Sequence, residues 1–247
     1  MAGAFDLKAK TALVTGGAKR IGRSTCAALA QAGASVLVHY HTSREEAAET
    51  CREVEGLGVR AWAVQADLGD PAACEGLVTA CLEAAGQVDI LINSASSFAE
   101  SRPADLDLPE LALALQLHAL APLQLARGLL GIPPTRPGRV VNLLDAYLHR
   151  SQRRHLAYNL SKRALLTLTE TLAVELAPLV TVNAVAPGMI LTAPGQSEGD
   201  FERMSQLNPL QRRGEVQDVV EAVLYLLRAD YVTGQVLYVD GGARLPR

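Results

Sequence analysis

Short β-branched apolar runs alternate with longer Ala-, Leu- and Glu-rich segments along this 247-residue chain. The runs fall at 11–15, 35–40, 60–65, 89–93, 139–144, 180–185 and 235–240. Strand, helix, strand at this rhythm means βαβ crossovers and a parallel sheet. The early runs are almost continuously apolar, as expected where both sheet faces are covered. The fold class expected is α/β, a doubly wound parallel sheet of about seven strands with helices on both faces. No linker divides the chain, so residues 1–247 read as one domain. The stretch from Met189 interrupts the rhythm with Pro194, Gly195, Ser197, Glu198, Gly199 and Asp200, and 189–210 reads as a substrate lid.

Composition removes several classes. Hydrophobic residues make up 49% and charged ones 20%, too apolar for a disordered chain. Lys plus Arg number 23 against 26 Asp plus Glu, net −3, so no basic excess serves a nucleic-acid backbone. The longest uncharged stretch, 111–126, carries His118, Pro122 and two Gln and falls short of the ~20 apolar residues of a membrane span. The opening MAGAFDLKAK has no apolar signal core. Cys26, Cys51, Cys74 and Cys81 form no CxxC pair, and three lie in segments that read as helical. Free, buried thiols in a reducing cytoplasm are expected, and no zinc.

The first strand runs into Gly16-Gly17-Ala18-Lys19-Arg20-Ile21-Gly22, and a helix follows from Ile21. Glycines there let the backbone approach a pyrophosphate, and the helix N-terminus offers N–H donors. The second strand ends in His39-Tyr40-His41-Thr42-Ser43-Arg44, with no carboxylate to hold a ribose 2′-hydroxyl. Arg20, Lys19, His41, Ser43 and Arg44 could instead surround a 2′-phosphate, which makes NADP(H) the expected cofactor. Asp67, before Leu68, could accept from the adenine amino group; the alternative is a helix N-cap before Pro71.

Tyr158 and Lys162 stand four apart in a helical stretch, on one face. A nearby ammonium favours tyrosinate, so the pair suits proton relay. With the pieces T15-G-G-A-K-R-I-G22, D67-L, N93-S-A-S96, Y158-N-L-S-K162, N183-A-V-A-P-G188 and D240-G-G242, the chain resembles the short-chain dehydrogenase/reductase family over nearly its whole length. The resemblance implies a Rossmann-type fold, Tyr158 as acid/base, and Lys162 as ribose ligand and tuner of the tyrosine. It also implies that Asn93 and the Pro187-Gly188 turn flank the nicotinamide half, that Ala95 contacts the cofactor, and that Thr192 contacts the pyrophosphate.

Two positions depart from the family. Asp145 stands where a Ser usually holds the substrate carbonyl, and His118 replaces a helical Asn. A carboxylate would repel the charge developing on a ketone oxygen, whereas a carboxyl group suits a nitrogen heterocycle. Together with N93-S-A-S-S-F98, this resembles the pteridine reductase branch. That likeness implies that Ser96 and Phe98 line the pterin, that Asp145 binds and protonates it, and that Arg247 reaches a neighbouring subunit's site. The plainer alternatives are a core role for Phe98, and a helix cap or a decayed site for Asp145. Pro122 deprives the carbonyl of residue 118 of its helical donor, leaving it free for a relay water; otherwise His118 packs or faces solvent.

A basic run, His149-Arg150-Ser151-Gln152-Arg153-Arg154-His155, is either a solvated face or a guide for an anionic substrate tail. The expected function is an NADPH-dependent pterin or folate-type reductase acting on a small molecule, with no nucleic acid or membrane partner. The alternatives are a 3-oxoacyl-[acyl-carrier-protein] or general carbonyl reductase, and a non-catalytic NADP(H)-binding protein. Broad apolar faces on the long helices expected over 108–130 and 158–177 suggest an oligomer, and the family usually forms homotetramers.

Overall fold

The computed structural model describes residues 5–148, 154–192 and 197–245. Seven strands, β1 (Thr11–Thr15), β2 (Ser35–Tyr40), β3 (Ala61–Gln65), β4 (Ile90–Asn93), β5 (Gly138–Leu143), β6 (Val180–Pro187) and β7 (Val236–Val239), form one sheet. Their order is β3-β2-β1-β4-β5-β6-β7, and all pairings are parallel. The Rossmann-type sheet expected is therefore present, with strand ends within two residues of those read from the sequence.

Helices α1 (Arg20–Gln31), α2 (Arg44–Gly56) and α8 (Val216–Arg228) bury one face; α3 (Pro71–Ala85), α5 (Ala121–Leu130) and α6 (Leu156–Glu175) bury the other. Strand residues alternate between the two cores: Ala12 and Val14 enter the first, Leu13 the second. All four cysteines lie on helices, one more than expected, and all are free and buried. Among the described residues no helix is long and apolar enough to cross a membrane, and no cluster of His, Cys, Asp or Glu could hold a metal.

The helix expected over 108–130 is broken. Helix α4 (Leu108–Leu115) passes into a π turn, Gln116–Leu120, before α5. The N–H of Ala121 reaches back five residues to the carbonyl of Gln116, and Pro122 has no N–H to meet the carbonyl of His118. The stretch expected as a lid contains a short helix, α7 (Glu198–Ser205), whose Phe201 and Ser205 are buried.

The chain winds outward in opposite directions from β1 and β4, so their carboxyl ends frame the crevice where such sheets hold ligands. The register places Thr15 beside Asn93 and Asn93 beside Asn142, a polar row along the crevice floor.

Candidate active site

The phosphate loop is shaped by close approach. Gly16 has φ +65°, and a Cβ on it would stand 3.0 Å from the Cα of Ala95. A Cβ on Gly22 would lie inside contact distance of the Gly16 carbonyl. Glycine alone permits this loop, which delivers the N-terminus of α1 to the crevice with no side chain capping its first turn. The cradle fits a pyrophosphate.

Three supports of this loop were not legible in the sequence. The ring Nδ1 of His39 accepts the N–H of Gly16 at 3.1 Å, while its main-chain oxygen accepts that of Gly17 at 2.9 Å. With Nδ1 accepting, Nε2 carries the proton and donates to the Ala66 carbonyl at 3.2 Å. Burial lowers the His39 pKa to about 4, so the ring stays neutral. The Thr15 hydroxyl oxygen accepts the N–H groups of Ser94 and Ala95, each at 3.0 Å. Asn93 Nδ2 donates to Asn142 Oδ1 at 2.8 Å, and Asn142 Nδ2 donates to Thr169 on α6 at 2.9 Å. This chain ties the crevice floor to the helix that carries Tyr158.

The cation cluster is only partly assembled. His41, Thr42 and Ser43 follow β2; Ser43 is the N-cap of α2, yet its hydroxyl makes no capping bond. The His41 ring stands 3.7 Å from Asp67 at the neighbouring strand end. Lys19 is paired with Glu46 at 2.6 Å. Arg20 points away from the group: from φ +53° its guanidinium donates to the Thr192 carbonyl at 2.9 Å, on the β6 side of the crevice. Arg20 thus reaches the Thr192 side of the crevice rather than the end of β2, and β6 and β2 lie on opposite sides of β1. Asp67 accepts the N–H of Gly69, and the cap before Pro71 is Asp70, so the N-cap alternative for Asp67 fails. Leu68 is buried beneath Gln116. Gly188 packs so closely on Asp240 that a Cβ would stand 2.7 Å from its Cα, fixing the Pro187-Gly188 turn. Ile21, half-buried, opens the first turn of α1 beneath the loop.

Asp145 faces Tyr158. The Tyr158 hydroxyl donates to its Oδ2 at 3.0 Å, and the Tyr147 N–H donates to Oδ1 at 2.6 Å. The local turn and the contact with the phenol coexist. Burial raises the Asp145 pKa, opposed by these hydrogen bonds and by Lys162 and His155. Lys162, fully enclosed, donates to the Leu143 carbonyl at 2.6 Å, and burial lowers its pKa to about 8. The expected lowering of the tyrosine pKa by Lys162 is not what this geometry produces. Burial pushes the phenol pKa well up, and Asp145 pushes it further in the same direction.

Phe98 is 42% exposed, so it is no core aromatic. Its ring meets Tyr158 edge-on at 4.8 Å between centroids and stacks on His155 at 3.8 Å. The Ser96 hydroxyl is engaged with His118 Nε2 at 3.1 Å. His118 is 1% exposed, neither solvated nor idle. Of the basic run, Arg154 pairs with Glu100 at 3.3 Å and His155 meets the Ala99 carbonyl at 2.9 Å. Residues 149–153 and Arg247 lie outside the described residues.

A family model described as Enoyl-(Acyl carrier protein) reductase matches residues 16–244. The crystal structure of FolM Alternative dihydrofolate reductase 1 from Brucella canis, complexed with NADP, superposes with TM-score 0.93 and 35% identity, covering 99% of this chain and 97% of that one. The Brucella suis counterpart, also with NADP, gives TM-score 0.91 and 35% identity over 97% and 96%. The 3-oxoacyl-[acyl-carrier-protein] reductase of Synechocystis sp. is 32% identical over 96% of this chain and 97% of its own length. NADP-bound neighbours agree with the cofactor expected from the second strand end, and the FolM structures agree with the resemblance to the pteridine reductase branch. With a match to the family model over residues 16–244 and a phenol, an ammonium and a glycine loop gathered at one crevice, the chain belongs to the short-chain dehydrogenase/reductase family of oxidoreductases.

Proposed function

We propose that this protein is an NADPH-dependent reductase of pterins or dihydropteridines, folate-type substrates included. The observation that carries the reading is Asp145 Oδ2 at 3.0 Å from the Tyr158 hydroxyl, with the half-exposed Phe98 ring against the same tyrosine. The bound nicotinamide supplies a hydride. Reduction of a C=N bond needs that hydride at carbon and one proton at nitrogen. Tyr158 is placed to give the proton, and Asp145, bonded directly to the phenol, is placed to replace it or to protonate the ring itself. Lys162 holds the end of β5 through Leu143 and presents its charge beneath the site. Phe98 offers a flat apolar wall to a planar ring.

The test is NADPH oxidation with dihydrobiopterin or dihydrofolate set against an acetoacetyl thioester. Turnover of the pteridine is expected; turnover of the thioester alone would move the assignment to a 3-oxoacyl reductase, the reading that the Synechocystis relative favours. Exchange of neither, with NADPH still bound, would leave a binding protein.

For the cofactor, Arg44 has no carboxylate partner among the described residues, unlike Lys19. Arg44→Ala is expected to lower kcat/KM for NADPH about 30-fold while leaving NADH use unchanged, since a charge-assisted bond to phosphate contributes about 2 kcal/mol. Parallel initial rates with the two coenzymes check it, and an equal loss with both would remove Arg44 from the 2′-phosphate site.

Homotetramer assembly is supported by exposed Leu108, Leu113, Leu120, Leu160 and Val174 on α4 to α6. A cytoplasmic location suits four thiols whose pKa values burial pushes up.

A further inference from the structure

The segment between β4 and α4 is held at both ends. Ser94 and Ala95 are pinned by Thr15, and Ser101 exchanges main-chain bonds with Arg154 and Leu156 and accepts the Ala157 N–H on its hydroxyl. Between these anchors lie Ser96, Ser97 and Phe98, all exposed. Among the described residues, the hydrogen bonds of Ser96 and Ser97 run to one side chain only, that of His118.

A main-chain N–H can only donate, so the 3.1 Å contact from the Ser97 N–H makes His118 Nε2 an acceptor. Nδ1 then carries the proton and donates to the Ser161 hydroxyl at 2.8 Å, which in turn donates to the Tyr158 carbonyl at 2.8 Å. The Ser96 hydroxyl lies 3.1 Å from the same Nε2. The titratable groups facing the ring are Tyr158, edge-on at 5.5 Å between centroids, and Lys162, both on α6. Burial, with Lys162 beside it, lowers the imidazole pKa to about 3, so the acceptor at Nε2 persists at neutral pH.

We propose that the His118 side chain is a positioning residue that ties the Ser96–Phe98 wall of the substrate slot to the catalytic helix, a deepening that rests on the function proposed above. An amide of the usual family residue, Asn, reaches only as far as the imidazole Nδ1. It can meet Ser161 but leaves the Ser97 N–H unmet. A Gln amide reaches the Nε2 position and can accept from Ser97. The wall that carries Phe98 thus depends on the outer ring nitrogen.

Two variants and one spectrum test this. His118→Asn is expected to raise KM for the reduced ring about ten-fold, with kcat and the dissociation constant for NADPH within two-fold of the parent. His118→Gln is expected to bring KM back to within about three-fold. Equal KM increases in both variants, or a parallel loss of NADPH affinity, would make the residue merely structural and overturn the proposal. In the parent protein, ¹⁵N-histidine NMR at pH 7 is expected to show one ring as the neutral Nδ1–H tautomer, lost in His118→Asn. An Nε2–H tautomer or an imidazolium at that position would also overturn it. If the parent reduces only the thioester, the pterin reading fails; the same KM comparison with the thioester, and the spectrum, still decide the role of His118.

Discussion

Replacing Tyr158 by Phe is expected to lower kcat about 10³-fold while NADPH binding stays within two-fold. The variant removes one hydroxyl and keeps the ring that meets Phe98 and His118 edge-on, so the slot keeps its shape. What is lost is the O–H that donates to Asp145 and stands ready to give a proton to substrate, a role that contributes about 10²–10⁴-fold. Single-turnover NADPH oxidation checks the loss without interference from product release. The pH profile adds a second reading. The phenol pKa is raised by burial and by Asp145, so Tyr158 remains the protonated acid across the working range. With a dihydropteridine, whose transfer Tyr158 alone can complete, the group that limits the alkaline side is Lys162, whose pKa burial lowers to about 8. Below that value it is an ammonium, and above it the charge is gone, so kcat/KM should fall as pH rises through about 8. A Tyr158→Phe variant with more than a tenth of the parent kcat, or an alkaline limb left in place by Lys162→Met, would break this assignment.

That sign for the tyrosine shows what sequence could and could not supply. The spacing of Tyr158 and Lys162 on one helix face is local, and so is the glycine loop between a strand and a helix; both were legible. The approach of Asp145 to the phenol is not local. It depends on the end of β5 turning back over α6, which the Ala146 N–H bond to the Pro187 carbonyl fixes across two strands. A reader of the sequence sees the ammonium and infers a lowered pKa, whereas the folded chain adds burial and a carboxylate. The same holds for Thr15, His39 and Asn142, whose partners lie 23 to 80 positions away and are set by sheet register. Pro122 did announce a carbonyl at residue 118 without its helical donor, since its missing N–H is a covalent fact, but not the π turn that breaks the helix. The direction of Arg20 was hidden because a left-handed backbone at that residue cannot be read from its neighbours.

Asp145→Ser is expected to lower kcat/KM for dihydropteridines at least 100-fold and to raise that for an acetoacetyl thioester about ten-fold. A serine hydroxyl can donate to a ketone oxygen and carries no charge, so it suits a developing alkoxide. The aspartate does the opposite when ionised, but burial raises its pKa, which keeps a proton on it to higher pH than an exposed carboxyl would. Activity that needs this proton is full below the raised pKa and falls as pH rises through it. Asp145→Asn separates acid from shape. Its amide oxygen can still accept the Tyr147 N–H that now reaches Oδ1 at 2.6 Å, while its Nδ2 takes the Oδ2 position and donates to the Tyr158 hydroxyl oxygen instead of accepting from it. It has no acidic proton, so the limb assigned to Asp145 should vanish from the profile while the variant remains folded and binds NADPH. Substrate discrimination follows the same logic. If the carboxyl only shaped the turn, Asp145→Asn would match the parent on pteridines at every pH. If it is the acid, the variant should lose most on the fully oxidised ring, whose nitrogen must be protonated, and less on the dihydro form, where Tyr158 alone can complete the transfer.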